Sequence, residues 1–316
     1  MAGRWLRTIE REQVAMVAGA NIYDLPKSNF IGYVDICICG CGCATDTLLT
    51  IACDFTSVQI IGNSTAMLKD LTLRDARVVN IWDYGSAPAF FSSIVEATNT
   101  GISVRLDFGR WPHDELAVLP AKLFKQLTLR IVCTTIAGAN LFDVAPLIMI
   151  EVEQYISADK PTEKLILKDS IIRTDIAAAT TINADMPLGL WLKGVLIIID
   201  EMTGNWYNIL KVKVNNGAEI PWAGYMYNCF AHNVMESNVS MGAYVANGTV
   251  PSGAELIELT AELEDSAYMW IDFDPTRTLK DVLHTEVMND LKVEIPRVAS
   301  TADKVIAREI IALSGS

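Results

Sequence analysis

One pattern is written into this chain twice, about half its length apart. Residues 14–26 end in Asp24-Leu25-Pro26 and run into an apolar segment from Gly32 to Ile38. Residues 175–187 end in Asp185-Met186-Pro187 and run into Gly194 to Ile199. Pro26 and Pro187 lie 161 positions apart, and Gly32 and Gly194 lie 162 apart, in a chain of 316 residues. Ile60-Ile61-Gly62-Asn63 and the segment from Val212 to Gly217 extend the match at an offset of roughly 150, and Leu123–Ile131 against Leu263–Ile271 extends it at 140. The shrinking offset predicts shorter loops in the second copy. A repeat this long is a domain duplication, since solenoid repeats have periods of about 20–50 residues.

Short strand signals fill both copies. Ile102–Phe108 and Leu127–Ile131 alternate apolar with polar residues, as expected for sheets with one covered face. Leu147–Val152 and Leu165–Leu167 are further strand candidates, and Gly/Asn turns such as Gly62-Asn63-Ser64 and Asn216-Gly217 stand between the runs. Many short strands with such turns point to an all-β chain of sandwiches or jelly rolls. The polar, Pro-containing stretch 157–163 divides it into domains 1–160 and 161–316. Two helices are expected, over 114–126 and 278–291, and the tail from Ser300 suits either a helix or a strand.

Composition narrows the function. Hydrophobic residues make up 51% of a chain whose net charge is −13. No run approaches the roughly 18 apolar residues of a membrane-spanning helix, so a large subunit interface is the expected outlet for the apolar surplus. Arg4 and Arg7 are not followed by a signal-peptide core, which leads to an expectation of synthesis in a cytoplasm. The acidic balance and the lack of Lys/Arg clusters argue against a specific nucleic-acid partner.

Candidate chemical sites have plainer readings. Cys37, Cys39, Cys41 and Cys43 alternate, so their thiols share one face of a strand. Four ligands along one extended strand do not surround a tetrahedral ion, which favours a core or interface role. Gly40-Cys41-Gly42 opens a dinucleotide-like loop but lacks the third glycine and the following helix. The three histidines, His113, His232 and His284, are not at ligand spacing, as a metal-holding double barrel would require. Asp272-Phe273-Asp274-Pro275 offers two carboxylates for calcium, against a solvated turn as the plainer reading. Trp82, Trp191, Trp222 and Trp270 fit either sugar-stacking platforms or core and contact residues. No catalytic, cofactor-binding or metal-ligating residue is therefore assigned, no cofactor is expected, and an enzyme is not expected.

The duplicated all-β pattern, with Asp24-Leu25-Pro26 and Asp185-Met186-Pro187 each before a strand and Leu119–Phe124 before another, resembles the double jelly-roll major capsid proteins of tailless icosahedral viruses. The segment Leu259–Leu263 stands for Leu119–Phe124 in the second copy. The resemblance implies two tandem eight-stranded jelly-roll barrels with a few short helices. It further implies a homotrimer forming pseudo-hexagonal capsomers of an icosahedral virion shell. By the same resemblance the partners are neighbouring capsomers, penton and minor capsid proteins and an internal lipid membrane, which Arg4, Arg7 and Arg11 would approach. Assembly would take place in the host cytoplasm. The alternative from another class is a tandem carbohydrate-binding, lectin-like protein using Trp191 and Trp222.

Overall fold

The computed structural model describes residues 4–41, 55–85, 90–91, 99–111, 113–114, 117–134, 146–156, 165–175, 181–189, 191–199, 209–237, 267–276, 278–296 and 303–313. These form two compact units, one chiefly of residues 1–168 and the other chiefly of residues 169–311, which holds most of the strands Leu165–Asp175 and Asp303–Ala312. The expected junction at 157–163 lies outside the described residues.

In the first unit the strands are β1 (Arg4–Ala15), β2 (Gly19–Asp24), β3 (Phe30–Cys41), β4 (Phe55–Gly62), β5 (Ala66–Leu71), β6 (Phe90–Phe91), β7 (Asn99–Asp107), β8 (Leu119–Pro120), β9 (Leu127–Cys133) and β10 (Leu147–Ile156). Helix α1 (Leu73–Tyr84) follows β5. One sheet runs β1-β10-β3-β7-β6, with β8 against the start of β3, and the other runs β5-β4-β9-β2. In the second unit the strands are β11 (Leu165–Asp175), β12 (Thr181–Asp185), β13 (Trp191–Ile199), β14 (Ile209–Val214), β15 (Glu219–Tyr225), β16 (Ala267–Asp272), β17 (Leu283–His284), β18 (Leu291–Pro296) and β19 (Asp303–Ala312). Helix α2 (Met226–Ser237) follows β15. Here the sheets run β11-β19-β13-β16, with β17 against β13, and β12-β18-β14-β15.

Leaving aside the two-residue strands, each unit pairs its first strand with its eighth, its eighth with its third and its third with its sixth. The other sheet joins second to seventh, seventh to fourth and fourth to fifth. That is the jelly-roll connectivity, obtained twice. Alternation decides which face is buried. Val34, Ile36 and Ile38 of β3 stand in register with Val152, Ile150 and Ile148 of β10 and with Leu106, Val104 and Ile102 of β7, all buried. The second unit builds the same rows from Val195 and Ile197 of β13, Ile271 and Met269 of β16, and Ala307 and Val305 of β19. β-branched side chains in paired rows across three strands give the pleated surface its packing energy.

The observed helices are not the expected ones. Residues 114–126 contain β8 and the 3-10 turn Ala121–Leu123, and residues 278–291 contain β17 and the 3-10 turn Thr285–Val287. In the second segment Asp274 Oδ1 accepts from the N–H groups of Thr278 (3.0 Å) and Leu279 (2.9 Å), and Leu279 takes a left-handed φ of 65°. Such Asx capture of successive N–H groups competes with a helix. The undecided tail is strand β19, buried from Val305 to Ile310. The third repeat match also shifts, because Leu127–Ile131 lies in β9, whose counterpart is β18, whereas Tyr268–Ile271 lies in β16, the counterpart of β7. The counterpart of Leu119–Phe124 is accordingly Leu283–Met288, where a two-residue strand again precedes a 3-10 turn, and not Leu259–Leu263, which lies outside the described residues.

Candidate functional site

The duplication extends to single hydrogen bonds. Phe108 N–H donates to Gly32 O (2.9 Å) and Phe273 N–H to Lys193 O (2.7 Å); Leu25 N–H donates to Leu127 O (2.9 Å) and Met186 N–H to Leu291 O (2.8 Å). Asn63 N–H bonds Gln126 O and its Oδ1 accepts from Lys125 N–H (2.7 Å). Asn215 repeats both contacts with Asp290 O and Asn289 N–H (3.0 Å). Opposite the eighth strand, the third strand carries an extra residue at one equivalent place, Gly32 in β3 and Lys193 in β13. Each is a β-bulge, a feature that re-aims the strand locally.

The firmest shared contact joins helix to sheet. Asn80 of α1 donates through Nδ2 to Arg105 O (2.7 Å) and accepts at Oδ1 from Arg105 N–H (2.8 Å). Asn233 of α2 does the same to Trp270, at 3.1 and 2.9 Å. A primary amide carries a donor and an acceptor side by side, so one side chain satisfies both backbone groups of a strand residue. Each asparagine is the eighth residue of its helix. Sequence reading missed both clamps, although that shared position, and the Thr72-x-x-Asp75 capping box with Gly85 at the other end of α1, are visible signals.

On the face of β3 opposite the core, the side chains are ionic. Arg105 bonds Asp35 through Nε (2.7 Å) and the terminal nitrogen (2.8 Å) and lies 3.7 Å from the Tyr33 ring centroid. Arg7 pairs with Asp35 (2.9 Å) and with Glu151. The corresponding residues of β13 and its neighbours, Leu196, Ile198, Trp270 and Ile306, are apolar and buried. The second unit places a buried cation at the bulge, where Lys193 Nζ lies 3.4 Å from Asp272, and Arg308 Nε donates to buried Asp169 at 2.7 Å.

The residues singled out from sequence fall as follows. Cys37 and Cys39 are half-buried on the ionic face and not in the core; burial, then Cys39 and Glu151, push the Cys37 thiol up to about 11, and burial raises Cys39. A thiol kept protonated is a poor nucleophile and metal ligand. The side chain of Cys41, and all of Cys43, lie outside the described residues. His113 meets Glu153 (3.1 Å) and the Trp5 ring, His284 meets Glu286 (3.3 Å) and the Trp191 ring, and His232 is exposed on α2, so the three are dispersed. Asp274 is fully buried, with one oxygen on the Thr278 and Leu279 amides, and Lys193 Nζ lies 3.4 Å from Asp272, so this turn is not the solvated one expected. Among the described residues no group of three or more His, Cys, Asp or Glu is gathered as a metal site. Trp82 and Trp270 are buried and Trp222 packs on the second core, so they are not stacking platforms, and Trp191 donates Nε1–H to Glu286 (3.1 Å). Arg7 pairs with Asp35 and Glu151 while its side chain stays 52% exposed.

Several exposed large apolar side chains lie on edge strands and turns: Ile9 on β1, Val17 and Ile22 around β2, Ile220 and Tyr225 on β15, and Val287 at 80% exposure; others, Ile156 and Ile209, lie on the interior strands β10 and β14. β1, β2 and β15 each close a sheet on one side.

No protein-family model matches the chain, and no curated protein matches it by sequence. Solved structures do. The major capsid protein of STIV superposes with a TM-score of 0.71 at 12% identity, over 99% of this chain and 98% of that one. The major capsid protein P2 of bacteriophage PM2 gives 0.62 at 10% identity, over 98% of both chains. A quasi-atomic model of the PBCV-1 virus capsid gives 0.58 at 10% identity, over 99% of this chain and 95% of that one. The chain thus has the all-β fold of two tandem jelly rolls seen in these double jelly-roll capsid proteins.

Proposed function

We propose that this chain is a structural major capsid protein whose copies trimerise into pseudo-hexagonal capsomers tiling an icosahedral virion shell. The observation that carries the reading is the duplication itself, matched strand for strand and at the paired asparagine clamps, in a fold shared with viral capsid proteins. Two like domains per chain under threefold symmetry approximate six equivalent edges, which suits hexagonal tiling. The exposed Ile9, Ile22, Ile220 and Tyr225 supply apolar edge surface for such contacts. Obligate interfaces bury roughly 2,000–5,000 Å² and are more apolar than average.

No catalysis is part of this role, and no residue is assigned to it. The same reading names neighbouring capsomers, penton and minor capsid proteins and an internal lipid membrane as partners, with synthesis and assembly in the host cytoplasm. The carbohydrate-binding alternative loses support, because Trp270, Trp82 and Trp222 serve the cores and Trp191 is held by Glu286.

Light scattering on the protein eluting from size exclusion tests the role. The expected mass is three times 34.7 kDa. A stable monomer at micromolar concentration overturns it.

A further inference from the structure

In the first unit, Asp107 ends β7 in a buried position, 7% exposed. Its Oδ1 accepts from the Tyr84 hydroxyl (2.7 Å), and its Oδ2 is buried with no hydrogen-bond partner. Tyr84 is the last residue of α1, and Asp83 beside it is also buried. A helix C-terminus carries partial negative charge, and the last turn of α1 holds no basic residue to offset it. The groups facing Asp107 are Asp83 and Tyr84 from α1, Arg105 from β7, Lys69 from β5 and Tyr33, its register partner on β3.

The second unit treats the equivalent carboxylate differently. Asp272 precedes Phe273 as Asp107 precedes Phe108, and both phenylalanine N–H groups bond the bulge residue of the third strand. That residue is Lys193 in one unit, with its ammonium 3.4 Å from Asp272, and Gly32 in the other. A Cβ at Gly32 would stand 2.7 Å from the Trp5 ring, so the bulge has no room for a cation there.

We infer that Asp107 is a proton-operated latch on the C-terminal end of α1, fastened when its carboxyl is protonated and loosened when it is charged. Burial first, then the Asp83 charge, push its pKa up to about 7, outweighing the Tyr84 bond and the cations Arg105 and Lys69. With the latch open the carboxyl returns toward 3.8. Below that value both forms hold the proton and the latch is at full strength. Between it and about 7 only the closed form holds the proton, so opening releases one and becomes easier as pH rises, by up to about tenfold per unit for a single proton. Above about 7 the effect levels off.

Hydrogen–deuterium exchange of the intact protein between pH 5 and pH 8, corrected for the intrinsic rate, reads this directly. Protection of the peptide covering Ile81–Gly85 is expected to fall at least tenfold from pH 5 to 7 and then to flatten, while α2 peptides stay level. In Asp107→Asn the slope is expected to vanish. Equal slopes in the wild type and Asp107→Asn, or the same slope in α2, overturn the latch. Should Asp107→Asn fail to fold, Asp83→Asn takes its place: flattening at a lower pH, with a several-fold smaller total fall in protection between pH 5 and 7, supports the inference, and an unchanged profile overturns it. The readout is local, so it stands or falls separately from the oligomer mass.

Discussion

The two units answer one geometric problem, a bulge in the third strand beside a carboxylate at the end of the sixth, with opposite side chains. The first puts Gly32 there, lays Trp5 across it and leaves Asp107 to the Tyr84 hydroxyl. The second puts Lys193 there and pairs it with Asp272, with Arg308 and Asp169 buried nearby. The backbone bonds are the same in both. What duplication preserves is the hydrogen-bonded frame, because an orphaned buried N–H or C=O is costly wherever it occurs. Side chains are free to diverge provided each buried charge has an answer, either a counter-ion or a proton.

The comparison is most exposed to attack at Arg308. Replacing it with Met leaves Asp169 charged in a site where its side chain is 2% exposed, and the expected loss is about 3–5 kcal/mol, read by urea denaturation. A change below about 1 kcal/mol would mean that the second unit does not depend on its buried cations.

The clamps come next. Asn80→Leu and Asn233→Leu each orphan one N–H and one C=O, at about 1–3 kcal/mol per buried group. Trp270 is buried at 3% whereas the Arg105 side chain is 27% exposed, so Asn233→Leu is expected to cost more. Equal losses would say that strand burial does not set the clamp's worth; a loss at only one site would break the equivalence.

The smallest effect is expected at the start of α1, where Thr72 and Asp75 form a reciprocal capping box. Thr72→Ala is expected to lower stability by about 1 kcal/mol, seen as a lower midpoint of thermal unfolding. No change would show that α1 is held by packing and Asn80 alone.

The sequence made the duplication and most of the strands readable, and it misled in two instructive places. The Asp-apolar-Pro signals located β2 with β12 and β3 with β13 because a proline just past a strand is a positional mark. The match of Leu123–Ile131 to Leu263–Ile271 rested on alternation alone, and every strand alternates, so it slid from β18 onto β16. Helix α1 escaped notice because it is buried on nearly every side, including Arg77, Asn80 and Asp83, which erases the 3.6-residue apolar stripe. The helix predicted over 278–291 placed Val287 on an apolar stripe, yet that side chain is 80% exposed on a 3-10 turn. The burial of Asp107 was not legible, since its hydrogen-bond partner Tyr84 comes from another element.

The asparagine clamps reach further than the helices they fasten. At Trp270 of β16, and at Arg105 of β7 beyond the end of β6, the backbone N–H and C=O that point away from the sheet are met by an amide belonging to the same molecule. A neighbour's strand arriving at those groups finds the donor and acceptor already taken. Strand addition, the route by which sheets grow into fibres, is disfavoured at those two positions.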